Sequence, residues 1–566
     1  MTISASRALG NALNFCLFEG WNRHGDLVAP YLQFYHARPR IQAVESHLTP
    51  EWRLEVRALY KYLEEQFSNE YAEADDLISQ GFFTRPHFPN LFLAGDVLVS
   101  PQESDPIAML ARSIYSSKDA EIRIECETWS FDGLFKKTKN VVQISLPSGY
   151  SANDKIPITS LTAIPLRIDT SGLKDVLRKR GEIFWSCWKG GLISYTAPTK
   201  GFDIQMPNYR CMIDMETYNE LYNKSDGAQQ GDGDQLHHDE FLTAVVGQEN
   251  LPPGTFLLLL PTTIKAFRFH DKKWKTLAVK HIRPVTWNKT AFERLVLDHD
   301  NKDHIEALVT NHLELRTMAD VIEGKGNGLV ILLHGGPGTG KTFTAEAVAE
   351  IAERPLYRLT CGDIGTEPEI VEKCLEHIFY LGGTWKAVIV LDEAEVFLEE
   401  RTQADLQRNA LVSVFLRALE YYDGILILTT NRVVVGTFDE AFKSRIHLAL
   451  HYPRLSTENR EQIWSDFIGA LRDESTPGNE SEIDHKDLKK KVDALARHKL
   501  NGRQIRNSIR TAKQLAKFKH QKLSSAHIEK TIKVVKNFEK YVEDTHGHTD
   551  AEWVRSGGIR IDKTED

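Results

Sequence analysis

An α/β fold, with a parallel sheet in the C-terminal half and a mixed α+β region before it, is predicted by three observations. Leu329 to Leu333 is an apolar run of strand length that leads through a glycine-rich turn into a helical pattern containing Phe343, Ala347 and Val348. Two more apolar runs, Ala387 to Leu391 and Gly424 to Leu428, each end in polar residues, as strands buried on both faces of a parallel sheet do. The first half shows instead short strand-like runs bounded by turn residues.

The chain has 566 residues, too many for one core, and about three or four domains are expected. With 41% hydrophobic and 26% charged residues it has the composition of a globular protein. A formal charge of −9 gives no whole-chain argument for nucleic acid. The six cysteines lack C-x-x-C spacing, which argues against a zinc site and a disulfide scaffold and for a reducing compartment. The N-terminal stretch has no basic n-region, and no apolar run reaches the roughly 20 residues of a membrane helix. A cytoplasmic or nuclear protein, not a membrane one, is the resulting expectation.

Residues 1–120 read as mainly helical, with Trp52 to Phe67 the clearest amphipathic segment. Residues 121–285 read as a mixed β-rich domain, whose strands are expected in IRIECETWSFDG, NVVQISLP, ITSLTAIPLRI, IFWSCWKGGLISYTAP and TFLLLLPTTI. A helix is expected over Leu173 to Arg180, and core packing is favoured over a binding face for Trp129, Trp185 and Trp188. Residues 226–240 read as a polar loop. Its His237, His238, Asp239 and Glu240 have metal-ligating types, but a loop without a second shell does not hold ligands in geometry.

The turn after Leu333 carries the chemistry. Gly335, Gly340, Lys341 and Thr342 satisfy G-x-x-x-x-G-K-[ST] in the strand, loop, helix context that a phosphate-binding loop requires. The loop of Gly336, Pro337, Gly338, Thr339 and Gly340 is expected to turn its available backbone N–H groups inward and, together with the helix N-terminus, to cradle phosphate oxygens. Lys341 would reach the β and γ phosphates and Thr342 would ligate Mg²⁺. The chain is therefore expected to bind ATP with Mg²⁺ on a P-loop NTPase core. The run Ala387 to Leu391 delivers Asp392, a candidate metal ligand, and Glu393, a candidate for orienting the attacking water. The run to Leu428 delivers Asn431, which a parallel sheet would bring to the same edge.

Taken in order, GGPGTGKT, VIVLDEAE, LTTNR and FDEAFKSRI resemble the AAA+ ATPases over about Asp320 to Lys540. The resemblance implies that Asn431 is the sensor 1 position and that Arg445 falls where an arginine finger reaches a neighbouring subunit's nucleotide. It also implies a helical lid beyond Pro453, in which Arg503 is the sensor 2 candidate and Arg506 the reserve. The domain boundaries that follow are 286–453 for the core, 454–545 for the lid and 546–566 for a tail. Cys361 to Glu369, where many relatives carry an aromatic pore loop, has no aromatic residue. More narrowly, the second half looks like fungal AAA ATPases with an uncharacterised N-terminal domain.

The reading is an ATPase, working as a ring-type homo-oligomer, whose hydrolysis of ATP remodels a protein client. Two alternatives stand beside it. One is a nucleic-acid-linked ATPase using the Lys- and Arg-rich lid; the other is a nucleotide-switched binding module, against which Glu393 argues.

Overall fold

The computed structural model describes residues 2–3, 27–28, 31–32, 34–38, 47–100, 105–116, 121–196, 208–222, 254–314, 328–401, 406–431, 438–473 and 483–546. The 226–240 loop with its His237, His238, Asp239 and Glu240, and the tail beyond residue 546, lie outside them. The chain divides into two compact units, residues 1–285 and 286–566.

In the first unit a 30-residue helix, Pro50–Ser79, is capped by the Thr49 side chain, which accepts from the amide of Trp52. Two five-stranded antiparallel sheets follow. The first has the order Phe135–Ser145, Glu121–Phe131, Ala108–Ser116, Val97–Val99, Ile164–Pro165. Its strands at 97–99 and 108–116 precede the expected boundary at residue 120, which therefore falls inside a sheet. Val97–Val99 is too short for its alternation to register in the sequence. The second sheet has the order Lys273–Ala278, Thr263–Arg268, Tyr209–Ile213, Gly191–Tyr195, Ile282–Arg283.

Three expected strands take other forms. The helix Leu173–Cys187 continues through IFWSC, because Leu177, Phe184 and Cys187 are buried at helical spacing. TFLLLL begins as a short helix, Gly254–Leu258, whose Phe256, Leu257 and Leu258 are buried. A short, continuous apolar run fits a buried helix as well as a strand. ITSLTAIPLRI is two 3-10 turns around the two-residue strand Ile164–Pro165, since proline withholds a ladder donor. Trp129, Trp185 and Trp188 pack with Phe131, Phe135, Phe184 and Phe256, so they belong to a core cluster.

The second unit contains a fully parallel sheet. Its strands are β1 (Leu329–Gly335), β2 (Leu356–Thr360), β3 (Val388–Asp392), β4 (Ile425–Thr430) and β5 (Leu448–Tyr452), in the order β2-β3-β4-β1-β5. Every residue of β1 and of β4 is buried, which explains why these strands read as unbroken apolar runs. Helices α1 (Lys341–Ile351), α2 (Pro368–Thr384) and α3 (Leu406–Glu420) accompany the sheet. Beyond it, α4 (Thr457–Asp473), α5 (Gly502–Phe518) and α6 (Ser525–His546) surround a separate core with Trp464, Leu495, Ile505, Ile509, Ile528 and Ile532. The basic residues of α5 alternate with that apolar face, as in a solvated amphipathic helix.

Candidate nucleotide site

A cavity of about 730 Å³ opens at the C-terminal ends of β1, β3 and β4 and is lined by the loop 337–342. Ligands of open α/β sheets bind at this edge, and the volume lies within the roughly 300–1,000 Å³ of small-molecule pockets.

The loop after β1 is fixed by close backbone approaches. Gly335 has φ +146, and a Cβ there would meet the Tyr452 carbonyl oxygen at 2.2 Å. Gly338 has φ +73, and its Cβ would stand 2.6 Å from Cγ of Asn501. Only glycine tolerates both the left-handed backbone and the contact. Asn501 in turn caps α5 in a capping box with Gln504, and the amide of Gly502 donates to the Gly338 carbonyl at 2.9 Å. The lid helix therefore starts against the loop.

Lys341 opens α1 and is buried, 6% exposed. A buried ammonium needs acceptors, and Nζ donates to the carbonyls of Gly335 at 2.8 Å and Gly336 at 2.7 Å and to Oδ1 of Asn431 at 3.2 Å. Thr342 donates to Oδ2 of Asp392 at 3.4 Å. The hydroxyl of Thr429 holds the other carboxylate oxygen, Oδ1. One carboxylate and one hydroxyl beside a phosphate-binding loop fit Mg²⁺, which completes its shell with phosphate oxygens and water.

Glu393 faces the same cavity with φ +58, a conformation a non-glycine residue adopts at a cost. Its backbone is held on both sides. The amide donates to the Thr429 hydroxyl at 3.3 Å, and the thiol of Cys361 donates to its carbonyl at 2.8 Å. Burial, and after it the carboxylates of Glu395 and Glu393, push that thiol up to about 11, so it stays protonated and able to donate. Arg503 and Arg506, both on α5, line the cavity. Arg445 does not. Its Nη1 donates to the carbonyl of Ala441 at 2.8 Å and its Nη2 lies 4.0 Å from Glu420.

Several lining or supporting residues are ones to which the sequence assigned no role. Glu395 accepts the amide of Asn431 at 2.7 Å and the hydroxyl of Thr430 at 3.1 Å, fixing the end of β4. Its position in D-E-A-E is the signal that marks it. Tyr452 shares a 2.7 Å hydrogen bond with Thr344. Arg358 pairs with Asp392 at 2.6 Å. Leu295, Leu297, Ile463 and Phe467 give the cavity apolar lining, suited to a planar base. Asp466 also lines the cavity, and burial raises its carboxyl above the ordinary range, against the pull of Arg294 and Lys302.

Residues 331–454 match the family described as "ATPase family associated with various cellular activities (AAA)", and residues 455–549 match the fungal AAA+ ATPase lid domain. The chain is similar to human ATPase family AAA domain-containing protein 3B, 28% identical over 25% of this chain and 22% of that protein. It is also similar to ATPase family AAA domain-containing protein 3-B of Xenopus laevis, 27% identical over 33% of this chain and 32% of that one. The chain thus spans about a fifth to a third of the length of these curated relatives. A solved structure of the FIGL-1 AAA domain in complex with ADP is 18% identical, with a TM-score of 0.33 over 42% of this chain and 81% of that one. No helix among the described residues is long and apolar enough to cross a membrane. Residues 331–549 of this chain thus match an AAA ATPase domain followed by a fungal AAA+ lid domain.

Proposed function

We propose that the chain hydrolyses ATP to ADP and phosphate and that hydrolysis moves the lid to remodel a protein client within a homo-oligomeric ring. The observation that carries this reading is the convergence of Lys341, Thr342, Asp392, Glu393 and Asn431 on one cavity that the lid helix α5 also lines. The backbone of residues 336–340 and the N-terminus of α1 bind the phosphates, and Lys341 neutralises the β and γ groups. Thr342 and Asp392 hold Mg²⁺, which supplies charge neutralisation on the phosphate oxygens. Glu393 orients and polarises the attacking water, and Asn431, fixed by Glu395, keeps that water in line. Arg503 contacts phosphate from the lid, so loss of the γ phosphate is felt by α5. Arg445, outside the cavity of its own subunit, completes the site of a neighbour.

The test is a Glu393→Gln protein with ATP. Stable ATP-bound oligomers that retain a protein partner, against release from the wild-type protein as ATP is consumed, are the expected result. Undiminished turnover, or no nucleotide-dependent partner, refutes it.

A further inference from the structure

Asp392 receives more than the hydroxyl of Thr342. The guanidinium of Arg358, on β2 of the same subunit, donates to Oδ2 at 2.6 Å, the oxygen that Thr342 also addresses at 3.4 Å. Nη1 of that guanidinium lies 3.9 Å from Oε1 of Glu346, one turn along α1 from Thr342. Arg358 thus stands between two carboxylates on the cavity wall, bonded to one and within reach of the other.

We propose that Arg358 is a resident counter-cation that Mg²⁺ must displace from Asp392, with Glu346 taking up the displaced guanidinium. The inference rests on the reading that Thr342 and Asp392 hold Mg²⁺. A dication at that carboxylate and a guanidinium 2.6 Å from the same oxygen repel each other and compete for the same lone pairs. Glu346 is the ready acceptor. Its carboxyl is raised by desolvation and drawn down first by Arg358 and then by Arg506 of the lid helix. Arg358 is a positioning residue in this scheme, acting through Asp392 and Glu346.

The direction of one shift separates this role from a merely structural one. If Arg358 only held Asp392 in shape, its removal would weaken metal binding. If Arg358 competes, its removal strengthens it. The experiment titrates Mg²⁺ into the full chain with a fluorescent ATP analogue and follows nucleotide binding, with Mn²⁺ binding in the presence of ADP followed by electron paramagnetic resonance. R358Q should lower the half-saturating Mg²⁺ concentration about three- to tenfold. An unchanged or raised value overturns the proposal. E346Q, which removes the alternative acceptor, should raise the half-saturating concentration, and an unchanged value overturns the transfer to Glu346. E346Q also decides the matter should R358Q fail to fold. D392N separates the two levels of the reading. If it leaves Mg²⁺ dependence intact, the metal site itself is wrong; if it abolishes that dependence while R358Q shifts nothing, only the role of Arg358 falls.

Discussion

The ammonium of Lys341 donates to the amide oxygen of Asn431 at 3.2 Å, joining the loop after β1 to the end of β4. Both residues approach the cavity from adjacent parallel strands whose register pairs His334 with Thr430. The same ammonium satisfies two loop carbonyls, so Lys341 both shapes the loop and offers it charge. Lys341→Ala should weaken ATP binding by about 10- to 100-fold, the range of a charge-assisted contact. Isothermal titration measures it, and retained tight binding would remove the loop from the phosphate site.

Glu393→Gln preserves shape and hydrogen bonding but not the negative charge. Its backbone bonds to Thr429 and Cys361 do not involve the carboxylate, so the local fold should persist. ATP affinity should change little while turnover falls about 10²- to 10⁴-fold. Phosphate release under saturating ATP reads the effect. A turnover within a factor of two of the wild type would exclude the carboxylate from the chemistry.

Gly338→Ala tests the contact between the loop and the lid. The left-handed φ of +73 and the 2.6 Å approach to Asn501 both penalise a methyl group, at a cost of about 1–3 kcal/mol. A lower melting temperature and weaker nucleotide binding are expected. Asn501→Ala alone should cost about 1 kcal/mol through loss of the α5 cap. In the double variant the clash disappears, so the two effects should sum to less than their separate costs. Strict additivity would mean that the lid does not press on the loop in solution.

The core was readable in the sequence because its chemistry is local. Gly335 to Thr342 are consecutive, and Asp392 and Glu393 directly end an apolar run, so strand, turn and ligand appear together. Arg358 was not readable, since only the parallel register of β2 and β3, with Thr360 opposite Asp392, brings it to that carboxylate. Asn501 and Tyr452 reach the loop by tertiary contact and carry no spacing signal. In the first unit, the helical form of TFLLLL was hidden because a short apolar run buried on every side shows no period.

His334, the residue before the loop, predicts a limb of acid sensitivity. Burial, then His451 and Lys341, lower its imidazole from 6.5 to about 4, and its Nδ1 meets no hydrogen-bond partner among the described residues. Between those values the unfolded chain binds a proton that the native protein refuses. The stability associated with the neutral ring is therefore present above about pH 6.5 and lost as pH falls towards 4. Thermal unfolding across that window should show a steeper decline for the wild type than for His334→Phe. Parallel curves would contradict the buried neutral state.

Arg445 raises the question of what completes the site. Its guanidinium is tied to the carbonyl of Ala441 and faces Glu420 on α3, away from the cavity of its own subunit. A role in hydrolysis therefore requires a neighbour, whereas a surface ion pair requires none. Under the first reading Arg445→Ala should keep ATP binding and lose turnover by about 10³-fold or more. Neither Arg445→Ala nor Glu393→Gln subunits alone should then turn over. Mixed rings contain interfaces where a Glu393→Gln subunit lends its intact arginine to the intact glutamate of an Arg445→Ala subunit. Turnover should rise above that of either parent and peak at intermediate mixing ratios. A mixture whose activity is the weighted sum of its parents would place Arg445 outside the reaction, as a partner of Glu420 alone.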